Sequence, residues 1–171
     1  YNYYMFYSNR IRTLKRGQFV GKAVLYWMLR DKRFNDNWAL YLAQKAALKY
    51  NVPLHVCFQY NAKVSSSTIR EYEFLFLGLK ETVSRLSQHN IQFHLLKGSA
   101  VFEIPMLCSK LKIGLLLTDY SPLKLYKRRL NQVLNQLSFP VYQVDTHNII
   151  PVWKASDKKE FAAHTIRRKI N

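Results

Sequence analysis

The sequence predicts an α/β domain: a five-stranded parallel, doubly wound sheet with helices on both faces and basic extensions at each end. Three observations predict it. Short apolar runs of strand length alternate with amphipathic helical stretches along the chain. The runs are apolar throughout, as in strands covered on both faces, and do not alternate with polar residues. The 171 residues, 49% of them apolar, suffice for one sizeable core and are too few for two.

Taken in order, Ala23-Val-Leu-Tyr-Trp-Met28 is the first buried strand. Asn37 to Tyr50 sets Ala39, Ala43, Ala46 and Tyr50 along one helical stripe, with Asn35 or Asp36 placed to cap it. Pro53 to Phe58 is the second strand, and Thr68-x-x-Glu71 is a capping box opening a long helix. On that helix Tyr72, Leu75, Phe76, Leu79, Val83 and Leu86 fall on a single face. Gln92 to Leu96 is the third strand, Ser99 to Leu111 a helix, and Ile113 to Thr118 the fourth strand. Ser121-Pro122 caps and starts a helix that turns Tyr126, Leu130, Val133, Leu134 and Leu137 inward, and Pro140 to Val144 is the fifth strand. Strand and helix in strict alternation imply right-handed βαβ units. The organisation expected is a basic leader over 1–22, the α/β domain over 23–144, and a basic linker or tail over 145–171.

Lys and Arg number 27 against 10 Asp and Glu, a formal charge of +17. Residues 1–22, 120–139 and 154–171 hold 13 of those 17 charges, while 23–119 has an ordinary balance. Clustered cations suit a polyanion, because each one placed on a phosphate releases condensed counterions. The candidate nucleic-acid-binding residues are Arg10, Arg12, Lys15 and Arg16, then Lys124, Lys127, Arg128 and Arg129, then Arg167, Arg168 and Lys169.

Other classes are excluded. An apolar run of about 18 residues, which a membrane span requires, does not occur, and the first residues lack the form of a signal peptide. A chain opening on Tyr1 reads as a trimmed product. Cys57 and Cys108 have no CxxC partner and no histidines at ligand spacing, so they read as reduced core thiols of an intracellular protein, in nucleus, cytoplasm or an organelle such as the mitochondrion. No metal site is indicated, and His55, His89 and His94 read as structural histidines. The turn after the first strand carries no glycine between Gly21 and Gly78, which excludes dinucleotide binding in the usual mode. There is no P-loop and no GxSxG elbow either. Asp119, at the carboxyl end of the fourth strand, is either a cleft residue or a turn residue capping the next helix. Arg30-Asp31-x-Arg33-x-x-Asp36-Asn37 places two guanidinium groups beside two carboxylates and forms an internally paired loop at a cleft wall.

The stretch from Tyr26 to Leu40, YWMLRDKRFNDNWAL, closely resembles the opening of class II cyclobutane pyrimidine dimer photolyases, light-driven DNA repair flavoenzymes. Asn9-x-x-Arg12-x-Leu14, Val52 to Val56, Phe93 to Leu96, Thr118 to Leu123, Val144 to Trp153, Ala155 to Lys158 and Thr165 to Ile170 resemble later blocks of that family in the right order. Arg168 stands where the family usually has proline. The resemblance implies a Rossmann-like photolyase/cryptochrome α/β domain, the antenna domain that can hold a deazaflavin or folate at the strand ends. Its cleft then falls on Met28, Arg30, Asp31 and Asp119. FAD, the electron-relay tryptophans and the pocket for the flipped dimer belong to a helical domain that follows in the family, so FAD is not expected in this chain alone. Trp27, Trp38 and Trp153 are then core or interface residues, and the chain is not catalytic by itself. The partner is DNA on this reading. The alternative is a photolyase-like subunit without catalysis that binds RNA or DNA structurally within a large ribonucleoprotein such as an organellar ribosome, a role for which the charge speaks.

Overall fold

A computed structural model describes residues 9–61, 68–158 and 160–170. The strands are β1 (Ile11–Lys15), β2 (Ala23–Met28), β3 (Leu54–Tyr60), β4 (Gln92–Lys97), β5 (Ile113–Asp119) and β6 (Val141–Val144). The helices are α1 (Trp38–Tyr50), α2 (Ile69–Gln88), α3 (Ala100–Lys110), α4 (Lys124–Leu134), α5 (Val152–Ala155) and α6 (Ala163–Ile170). They build one sheet of order β1-β6-β5-β2-β3-β4. Every pairing from β6 to β4 is parallel.

The expected α/β architecture with helices on both faces is present, with one strand more than expected. The sixth is β1, which lies in the stretch read as a basic leader and pairs antiparallel with β6, Ile11 opposite Val144 and Arg12 opposite Gln143. Its sequence IRTLK has too few apolar residues to announce a strand, because an edge strand buries little: Leu14 packs inward while Arg12 and Thr13 stay exposed.

Every residue of β2 and β5 is buried, which is why their sequences read as unbroken apolar runs. Alternate side chains of each go to opposite faces. Val24, Tyr26, Met28, Leu115 and Leu117 meet α1 and α2 through Ala39, Ala43, Ala47, Leu79 and Leu86. Leu25, Trp27 and Leu116 meet α3 and α4 through Ile104, Leu107, Leu130 and Val133, joined by Ile113 at the register shift where the strands start. Where β2 and β5 start, the backbones at Gly21 and Gly114 run so close that a Cβ on either would overlap the other.

Capping follows the sequence at α2, where Thr68 and Glu71 form the full capping box. It departs from it twice. Asn37, not Asn35 or Asp36, caps α1, its Oδ1 accepting from the Leu40 N–H at 2.9 Å. Asp36 instead takes a left-handed φ of 50° that turns the chain into the helix. At α4 the helix begins at Lys124 with no side-chain cap, and Ser121 is buried.

After β6 the chain stays packed. Asp145 and Thr146 are buried, and the Asp145 carboxylate accepts from the N–H groups of His147, Asn148 and Val152 and from the Asn148 amide. Arg10 donates to the carbonyls of Asp145 (3.2 Å), Asn148 (2.7 Å) and Ile149 (2.6 Å), and Trp153 donates to the carbonyl of Asn9 (2.7 Å). Among the described residues no helix is long and apolar enough to cross a membrane.

Candidate functional site

Strand order reverses between β2 and β5, so the topological switch point of this sheet, the place where open α/β sheets bind ligands, lies beyond Met28 and Asp119. A ligand phosphate at such a point is ordinarily held by backbone N–H groups of the first turn. Here a side chain of the protein itself fills that role. Asp119, fully buried, accepts from the N–H of Leu29 at 2.9 Å and from the Tyr26 hydroxyl at 3.2 Å through Oδ1. Its Oδ2 accepts from the N–H of Asp31 at 2.8 Å and from that of Arg30. The carboxylate caps the strand turn, not the next helix, and both its oxygens are occupied.

Around it the β2–α1 loop is tied down by Asn37, which donates to the carbonyls of Asp31 (3.1 Å) and Arg33 (3.0 Å) and to the Tyr26 hydroxyl (3.2 Å). Thr82 of α2 donates to the carbonyl of Lys32 at 3.0 Å and holds the loop from the other side. Burial pushes the Tyr26 phenol well up and lowers Lys32. Asp31 pairs through Oδ1 with the Arg33 Nε at 2.8 Å. Burial raises its carboxyl to about 6 even against that cation, and the Asp119 charge adds to the rise. Asp31 Oδ2, Thr146 Oγ1 and Ser121 Oγ are buried without a hydrogen bond of normal geometry, all at the carboxyl ends of β2, β5 and β6.

Of the four cleft residues read from the sequence, Met28 and Asp119 are closed into the core, Asp31 is almost fully buried, and the Arg30 side chain is exposed. Sequence reasoning placed Asn37 in the loop motif without its tethering role, and it missed Tyr26. The spacing Asp31 to Asn37 was visible, but the loop carbonyls that Asn37 binds carry no sequence signal.

The structure also sorts the cations. Arg10 is buried over the Trp38 ring and its guanidinium is taken up by carbonyls. Lys15 donates to the carbonyls of Leu134 (3.1 Å) and Leu137 at the end of α4, where a cation offsets the helix dipole. Lys169 pairs with Glu160 at 2.6 Å, and that bond first, then one from Ser156, holds the Glu160 carboxyl down at about 2. Arg12, Arg16, Lys124, Lys127, Arg128, Arg167 and Arg168 are exposed, and Arg129 is half-buried. Cys57 and Cys108 are free and buried. Trp27 lies in the core, while Trp153 meets Tyr120 edge to face at 5.8 Å.

Fold and site together define an open α/β domain whose strand-end switch point carries its own carboxylate in the anion position. The chain belongs to the DNA photolyase family, which it matches over residues 24–171. A deoxyribodipyrimidine photo-lyase of Potorous tridactylus is 40% identical over 173 residues, covering 98% of this chain and 32% of that protein. One of Arabidopsis thaliana is 38% identical, covering 95% of this chain and 34% of its own length. The chain thus spans about a third of the curated relatives it matches. Among solved structures, the cryptochrome of Synechocystis sp. PCC6803 superposes with a TM-score of 0.59 at 17% identity, over 72% of this chain and 26% of that one. That likeness shows the fold.

Proposed function

We propose that this chain is the amino-terminal antenna-type domain of a class II photolyase-like protein, holding a light-harvesting deazaflavin or folate at the carboxyl ends of its strands. Repair of pyrimidine dimers in DNA is then the work of a protein of which this chain forms one part. The observation that carries the reading is the match over nearly all of this chain to one third of a deoxyribodipyrimidine photo-lyase.

The residues present fit a chromophore of restricted kind. With Asp119 on the amides of residues 29–31, a phosphate has no place there. The polar groups of Asp31, Thr146 and Ser121 at the strand ends, with Arg30 exposed at the rim, are suited to N–H and O–H groups of an uncharged ring system. Such a group, when bound, absorbs light and passes on the excitation; the residues of this chain bind and orient it.

The test is to titrate a deazaflavin and a reduced folate into the chain and follow visible absorption and fluorescence. Binding with a shifted band, weakened by Arg30→Ala, is expected. The absence of any shift for either compound at high micromolar concentration refutes the antenna reading.

A second reading, structural binding of RNA or DNA, is favoured by one observation: Lys124, Lys127 and Arg128 are exposed on α4, a helix without an acid. Arg12, Arg16, Arg167 and Arg168 add exposed cations, while Arg10 and Lys15 are engaged within the fold. Contact by six of these residues gives a slope of about −5 in log K against log salt on duplex DNA. Affinity that is flat between low and moderate salt refutes it.

A further inference from the structure

The two histidines of the β3–β4 pair meet across the strands. His55 Nδ1 and His94 Nε2 are 3.1 Å apart, with ring planes inclined at 46°. In the strand register His94 stands opposite Cys57, and His55 lies two residues before Cys57 on the same face. That face is the one covered by α3, and β4 is the outermost strand of the sheet, so both imidazoles are only half-buried.

A separation of 3.1 Å serves a shared proton, and it also equals the bite of one metal ion. With metal–nitrogen bonds of about 2.0–2.1 Å and inter-ligand angles of about 90–109°, two imidazole nitrogens around one ion lie about 2.8–3.4 Å apart. We propose that His55 and His94 form a two-histidine site for a divalent transition-metal ion of the zinc or copper class, bridging β3 and β4. No set of three or more His, Cys, Asp or Glu side chains among the described residues could hold a metal ion, so water completes the coordination. Burial disfavours the protonated form of both imidazoles, and for His94 the neighbouring His55 and then Lys110 of α3 act in the same direction.

The experiment is a titration of the full chain with zinc chloride near neutral pH, following the imidazole resonances. Of the five histidines, only His55 and His94 shift, saturating at one ion per chain. His55→Phe and His94→Phe each abolish the response. His94→Gln, with a polar side chain in the same half-buried place, does so too, and the backbone amide spectrum of each variant reports that the sheet is intact. The groups facing the pair are Lys110 from α3 and Cys57 from β3. Lys110→Gln tightens binding because it removes a cation from the site, and acidification releases the ion. The proposal is overturned if zinc leaves both histidines unmoved, if His89, His147 or His164 responds in their place, or if either single-histidine variant keeps the affinity of the parent chain.

Discussion

Replacing Asp119 is the sharpest perturbation of the strand-end site. Its carboxylate accepts from three main-chain N–H groups and the Tyr26 hydroxyl in a position with no exposure to solvent. A hydrogen bond to a charged group contributes about 1.5–3 kcal/mol net, and a buried donor left without a partner costs about 1–3 kcal/mol. Asp119→Ala strands the amides of Leu29 and Asp31 at least, both buried, so the expected loss is about 4 kcal/mol of folding stability. Asp119→Asn separates acceptor number from size. Its single oxygen serves either Leu29 and Tyr26 or Arg30 and Asp31, and its NH2 then faces donors on the other side, for a loss of about 2–3 kcal/mol. Urea unfolding measures both, and amide hydrogen exchange at residues 29–31 locates the effect. Losses below about 1 kcal/mol for both variants, at unchanged m-value, would refute the assignment of Asp119 as the structural anion of the turn.

Asp31, with its carboxyl raised to about 6 by burial, binds its proton more tightly in the folded chain than in the unfolded one. Its contribution to stability is therefore greatest below the unfolded value near 4 and declines as pH rises to about 6; Asp31→Asn flattens that decline in a series of unfolding curves, and an unchanged pH profile contradicts it. Arg10→Ala removes three bonds to carbonyls of residues 145–149 and is expected to destabilise by about 2–3 kcal/mol and to speed proteolysis after Val144; equal cleavage rates in the two chains count against the clasp. The Cys57 thiol is raised well above its ordinary value by burial, and that of Cys108 to about 12 by the same cause, so neither is expected to react with a maleimide at pH 7 until the chain is unfolded.

The fold was legible where burial is two-sided. β2 and β5 are buried at every residue, so their composition alone marks them, and α2 carries both its capping box and its apolar stripe in local sequence. What escaped depends on partners far along the chain. β1 is a strand because Val144 lies beside Ile11, a pairing that five residues of mixed character cannot signal. Arg10 and Lys15 look like surface cations in any count of charge, but their partners are carbonyls more than a hundred residues away. At the candidate site the sequence placed Asp119 at the carboxyl end of its strand, and the structure has it there. It could not show that the amides of the first turn would claim both oxygens, since every residue there donates the same main-chain N–H.

The clasp at Arg10 has a consequence for how this chain tolerates change. Its guanidinium donates its hydrogen bonds to the main-chain oxygens of Asp145, Asn148 and Ile149, and the Trp153 indole likewise donates to the carbonyl of Asn9. Those oxygens are offered by any residue with the same backbone path. Substitutions at Asn9 and Ile149 leave these bonds in place, whereas the same change at Arg10 or Trp153 removes them, so the two sides of one contact differ sharply in how freely their sequences can drift.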